Sequence, residues 1–146
     1  MLSILHRVGT STAPEKVFTA LTTIDGLRSW WTSTATGNAK KGGRIDFGFC
    51  EMEVVAAERD ELVHWRCVRG PKEWLDTEVT FRLRAASETF VVFAHSGWRE
   101  PGEFMHHCST KWATFLLSLR DTVERGAGRP MPNDLKIIVA DEMSAA

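Results

Sequence analysis

Apolar and polar residues alternate along this chain in three successive regimes. Ile4 to Val8 alternates as a strand, and Thr12-x-x-Glu15 then makes a capping box, with Pro14 in the first turn of a helix that continues through Val17, Phe18 and Leu21. Leu27, Trp30 and Trp31 predict a second short helix, set off from the first by the break from Thr22 to Gly26. From Thr34 to His95 the period becomes two. Ile45/Phe47/Phe49, Val63/Trp65/Cys67, Val79/Phe81/Leu83 and Val91/Phe93/His95 each fall on one face of a strand. Their alternates are mostly polar (Asp46, His64, Arg66, Glu78, Thr80, Arg82), which predicts an antiparallel sheet with one packed face and one wet face. Turns are expected at Lys41-Gly42-Gly43, Arg59-Asp60-Glu61, Arg69-Gly70-Pro71 and Ala86-Ser87.

The third regime is helical. Met105, Cys108, Trp112, Phe115, Leu116, Leu119 and Val123 form one apolar stripe between Glu103 and Arg125, and Gly126 supplies the stop. Such a helix is ~33 Å long, enough to cross a whole domain, so it must lie across the sheet. Residues 1–128 are read as one domain and 129–146 as a C-terminal tail. The tail contains one further apolar run, Leu135 to Ala140, which either extends a sheet edge or contacts a second subunit, so a homodimer is one arrangement left open.

Composition narrows the function classes. With 146 residues, 43% of them hydrophobic and 25% charged, the chain is sized for a single globular core. The net charge is −1 with no basic stripe, so no nucleic-acid partner is expected. The longest apolar runs fall far short of a bilayer span, and the start MLSILHRVG lacks the pattern of a signal peptide. No membrane partner is expected, and the protein is read as cytoplasmic. Cys50, Cys67 and Cys108 are an odd count without a close pair, which fits free buried thiols in a reducing compartment. Six Trp and eight Phe stand against no Tyr, so the apolar bulk is concentrated in rings.

Several segments resemble one family. Ala13-Pro14-x-x-Val17-Phe18-x-Ala20-Leu21-Thr22, Gly26-Leu27-x-x-Trp30-Trp31, Gly42-Gly43 with Phe47 and Phe49, Trp65, Val79-x-Phe81, His95-x-Gly97-Trp98, and Trp112-x-x-x-Leu116-x-x-Leu119 through Glu124-x-Gly126 follow in order. Over residues 4–128 the sequence resembles the activator-of-heat-shock-protein-90-ATPase homologue family of the START/polyketide-cyclase/birch-allergen (SRPBCC) superfamily. The resemblance implies an α+β helix-grip fold: a curved antiparallel sheet wrapped around a long C-terminal helix, two short helices after the first strand, and a cavity between sheet and helix. Function transfers less directly than fold, because the superfamily hosts carriers, receptors and cyclases. In the eukaryotic co-chaperone the resembling part is a C-terminal domain accompanied by another domain. This chain has no room for a second one, so chaperone binding is not expected.

With these strand phases Phe47, Phe49, Trp65, Val79, Phe81, Phe93 and His95 point at the helix face carrying Cys108, Trp112 and Leu116, while Trp30 and Trp31 close one end. Trp74, presented by a Gly-Pro turn, is read as a lid, the alternative being an exposed anchor for a partner, and Gly97-Trp98 follows His95. This set is the expected cavity for a small hydrophobic or aromatic ligand, carried or sensed. Equally, the same rings can fill a core. His95 is the one inward polar residue, either a structural imidazole bonded within the core or the base of a cyclase-like enzyme. Neither metal nor cofactor is expected. His106, His107 and Cys108 are adjacent on a helix and point about 100° apart, and no Gly-x-Ser-x-Gly elbow is present.

Overall fold

The computed structural model describes residues 2–139. Strand β1 (Leu2–Thr10) leads into helices α1 (Pro14–Thr22) and α2 (Ile24–Trp30). Six strands follow: β2 (Thr36–Gly37), β3 (Arg44–Asp46), β4 (Glu51–Glu58), β5 (Leu62–Arg69), β6 (Glu78–Ala85) and β7 (Thr89–Trp98). Helix α3 (Glu103–Arg125) comes last, over the expected span. All seven strands form one antiparallel sheet in the order β1-β7-β6-β5-β4-β3-β2. Register shifts at Leu2/Ser3, Glu51/Met52 and Val54/Ala56 add local bend, and the concave face packs on α3 and the two short helices. This is the helix-grip arrangement.

Three local expectations are corrected. The capping box does not form: Ala13 is the N-cap of α1 and makes no side-chain cap. Thr12 instead turns back toward Thr10, whose hydroxyl donates to Glu124 at 2.6 Å and so ties the end of β1 to the end of α3. Phe47 and Phe49 do not continue a strand, because β3 stops at Asp46. The Asp46 carboxylate accepts the Gly48 N–H at 2.8 Å, and Gly48 takes φ 91°, a turn that aims both phenyl rings back at Trp31. The third correction is β4, which alternation did not single out. Its shift at Val54/Ala56 breaks the period of two: Met52 and Val54 are buried, and beyond the shift Ala57, of the opposite parity, packs against the core.

The segment after α3 folds back along that helix. Arg129 N–H donates to Ser118 Oγ, Met131 N–H donates to the Trp31 carbonyl at 2.7 Å, and Ser33 N–H donates to the Met131 carbonyl. Beyond it Asp134 is buried against Lys111 of α3. Residues 135–139 form no strand, and Ala140 lies outside the described residues.

Candidate functional site

The inward series on β7 runs to His95, whose imidazole is fully buried on the concave face. Trp112 Nε1–H donates to His95 Nδ1 at 3.1 Å. Across the ring, Thr77 Oγ1 stands 2.8 Å from Nε2. The single Thr77 hydroxyl proton goes to the Trp74 carbonyl at 2.6 Å, so the Thr77 oxygen is left to accept from Nε2–H. The imidazole is therefore the neutral Nε2–H tautomer with its lone pair already taken. Burial pushes its pKa down to about 3. Protonation at Nδ1 would in addition set two donors against each other.

This wiring has a pH signature. Below about pH 6.5 the unfolded imidazole takes up a proton that the folded one refuses until about pH 3, so the unfolded state binds more protons and stability falls with pH. The expected slope from this group is about 1 kcal/mol per pH unit in that window. His95→Gln can accept from Trp112 and donate to Thr77 without titrating. Urea unfolding from about pH 7.5 to 5 should show a flatter dependence in that variant than in the parent. Equal slopes would contradict the assignment.

Around His95 the rings form a continuous cluster. Trp31, at the end of α2, touches Phe47 (centroids 4.2 Å apart), Trp112 (4.8 Å), Phe49 (5.8 Å), Trp30 (5.8 Å) and Trp65 (5.9 Å). Trp112 reaches Phe93 at 4.6 Å, Trp74 at 6.1 Å and Phe81 at 6.5 Å, and Trp98 lies 5.1 Å from His95. Val79, Cys108 and Leu116 belong to the same core. Every residue expected to line a cavity is thus brought to one place; all are buried except Phe49, which is half-buried. The rings contact one another directly. Trp74 is folded inward rather than presented to solvent, and Arg99 holds its loop down by donating to the Lys72 and Leu75 carbonyls.

The polar balance of this core is uneven. Trp30 Nε1–H finds the Ala20 carbonyl and Trp112 finds His95, but the indole N–H groups of Trp31, Trp65, Trp74 and Trp98 are buried without an acceptor among the described residues. The Trp74 N–H lies near the Cys108 sulfur, outside hydrogen-bond geometry. Burial pushes the Cys108 thiol up to about 12 and Cys67 to about 11, and it also raises Cys50 well above the ordinary thiol range. None is a thiolate at neutral pH. No group of three or more metal-ligating side chains stands together among the described residues.

Two clefts open outside the ring cluster. The larger, about 970 Å³, lies between α1, α2, the end of α3 and the β4–β5 turn, with Glu15, Asp25, Lys40, Arg59 and Glu124 on its walls. The smaller, about 400 Å³, is bounded by Lys72, Glu73, Trp98, Arg99 and Glu100 beside the Trp74 loop.

Sequence reasoning missed Thr77, Lys111 and Asp134. Lys111 carried a readable signal, since it falls inside the α3 stripe, three residues after Cys108 and four before Phe115. A cation there requires a buried partner. Nothing in the sequence pointed to Asp134 as that partner.

Residues 11–124 match the family described as activator of Hsp90 ATPase homolog 1-like protein. The chain belongs to this family. One solved relative, the Aha1 dimer from Colwellia psychrerythraea, is 42% identical over 88% of this chain and 100% of its own, with a TM-score of 0.79. A protein of Staphylococcus saprophyticus (15% identity, TM-score 0.73, 88% of this chain and 97% of its own) shares the fold. So does CalU16 from Micromonospora echinospora (20% identity, TM-score 0.73, 89% and 77%). No curated protein matches the sequence. In this family member part of the set that carried the resemblance, Trp30-Trp31, Phe47, Phe49, Trp65, Phe81, His95, Trp98 and Trp112, lies in the ring cluster. No helix among the described residues is long and apolar enough to cross a membrane.

Proposed function

We propose that this protein binds a small, flat hydrophobic ligand between the sheet and α3, as a carrier or sensor. The observation that carries the reading is the set of four buried indole donors, Trp31, Trp65, Trp74 and Trp98, that have no acceptor among the described residues. An unpaired buried donor costs about 1–3 kcal/mol, and a ligand bearing carbonyl oxygens would relieve that cost while its rings stack on the surrounding aromatics. The ligand is therefore acceptor-rich and donor-poor. Access runs beside the Trp74 loop, where the smaller cleft meets Trp98. The occupied lone pair of His95 favours binding over catalysis, since a general base needs a free nitrogen.

The test has two parts. Native mass spectrometry of freshly purified protein should retain a small molecule that denaturation releases. Calorimetric titration should show 9-fluorenone binding about tenfold more tightly than fluorene, the same skeleton without the oxygen. Binding of neither, together with a clean apo mass, would overturn the reading; equal binding of both would remove the role given to the indoles.

A second reading, a homodimer, is favoured by the relative described as an Aha1 dimer and by Leu117, Leu135 and Ile138, which are exposed on α3 and the segment after it. Sedimentation at two concentrations checks it. A single monomeric species at both would exclude it.

A further inference from the structure

The wet face of the sheet is divided by charge. On β3, β4 and β5 the guanidiniums are met by carboxylates: Arg44 by Glu51, Arg66 by Glu53, and Arg69 by Asp46 and Glu51. His64 is likewise paired with Glu78 of β6. The other half differs. Arg7 on β1 and Arg82 and Arg84 on β6 make no ion pair and no side-chain hydrogen bond among the described residues, and all three are exposed.

Strand register places them together. Arg7, Val92 and Arg82 form one row across β1, β7 and β6; Gly9, Phe90 and Arg84 form the next. Phe90 on the middle strand is flanked from both sides, with the Arg7 guanidinium 4.6 Å and that of Arg84 4.8 Å from its ring centroid. Two like charges are thus held beside one ring instead of dispersing into solvent. Such stacking leaves guanidinium N–H edges able to fork onto carboxylates, with part of the side-chain entropy already spent. One carboxylate, Glu88, packs over Gly9 at the end of the patch, yet it pairs with none of the three. Apolar surface runs alongside: Val92 is exposed, and Leu5, on the outermost strand, is 70% exposed.

We propose that this half of the convex face docks an extended protein segment with acidic residues at alternate positions. Arg82 and Arg84 are two residues apart on one strand, a spacing of ~6.6–6.8 Å. Side chains at i and i+2 of an extended partner repeat at that same distance and face one way. Leu5 and Val92 meet the partner's apolar atoms. A polyanion fits less well, because only three cations are available and the chain as a whole carries −1.

The experiment uses the full chain and a fluorescein-labelled peptide alternating aspartate and threonine, read by anisotropy. Controls are a peptide of the same composition with its aspartates in one block, phosphatidylserine vesicles, and single-stranded DNA. The alternating peptide should bind, bind more weakly as salt rises, and lose about tenfold or more in affinity in the variant Arg82→Gln, Arg84→Gln. Arg66→Gln, on the paired half of the face, should leave it unchanged. All these positions are exposed, and unaltered thermal unfolding of each variant confirms that the fold is intact. No binding, binding equal in both variants, equal binding of the blocked peptide, or preference for vesicles or DNA would each overturn the proposal.

Discussion

Asp134→Ala is expected to destabilise the protein by about 3–5 kcal/mol, the largest single effect foreseen outside the ring cluster. Asp134 and Lys111 are both shut off from water, and the carboxylate accepts from Lys111 and, at 2.8 Å, from Lys136. Burial alone would raise the Asp134 pKa; the two lysine hydrogen bonds outweigh it and hold the carboxyl below its ordinary value. Removing the carboxylate leaves the Lys111 ammonium in the core with the Leu135 carbonyl at 3.0 Å and the Phe115 face as its remaining contacts. Lys111→Met should cost less, because Asp134 keeps the partly exposed Lys136 as partner. The double variant Lys111→Met, Asp134→Leu should recover most of the loss, since a buried ion pair contributes little beyond what well-packed apolar side chains would. Urea unfolding of the three variants gives the comparison. A cost below about 1 kcal/mol for Asp134→Ala would mean that the pair is solvated, as at a protein surface. Because the segment from Arg129 to Asp134 lies against Trp31, its release should also shift tryptophan emission to longer wavelength.

The second large effect is at Trp112. Trp112→Ala removes the ring that joins Phe93, Trp31, His95 and Trp74, and an expected cost of about 3–5 kcal/mol follows from the cavity left behind. Trp112→Phe keeps most of the ring and deletes the N–H, leaving His95 Nδ1 as a buried acceptor without a donor, which should cost about 1–3 kcal/mol. Burial, which pushes the His95 pKa down, is unchanged in the phenylalanine variant, so its stability should still fall as the pH drops from about 6.5 to 5, as the parent's does. Chemical unfolding at those pH values measures both effects. If Trp112→Phe were neutral, the hydrogen bond to His95 Nδ1 would not be contributing to stability.

Much of this organisation was legible in order and phase. The inward faces of Val63/Trp65/Cys67, Val79/Phe81/Leu83 and Val91/Phe93/His95 followed from period two because each strand is buried on one side only. The α3 boundaries followed from a long stripe and a glycine at its end, which takes the left-handed conformation with φ 89°. Legibility failed where one residue altered the local rule. The shift in β4 and the Gly48 turn each change phase at a single position, and neither leaves a trace in average hydrophobicity.

Residue type and spacing alone were enough to read the family, the order of elements apart from β4, and the membership of the buried ring set. Tertiary structure decided everything that depends on where side-chain atoms meet. It took the fold to give His95 a donor on one nitrogen and an acceptor on the other, leave four indole N–H groups without an acceptor among the described residues, and send Asp134 back to Lys111 across 23 residues. It also left Arg7, Arg82 and Arg84 without an ion pair among the described residues, on one half of a sheet face whose other half is neutralised. Hydrogen bonds and ion pairs act over about 3–4 Å, and only folding brings residues far apart in the chain within that range.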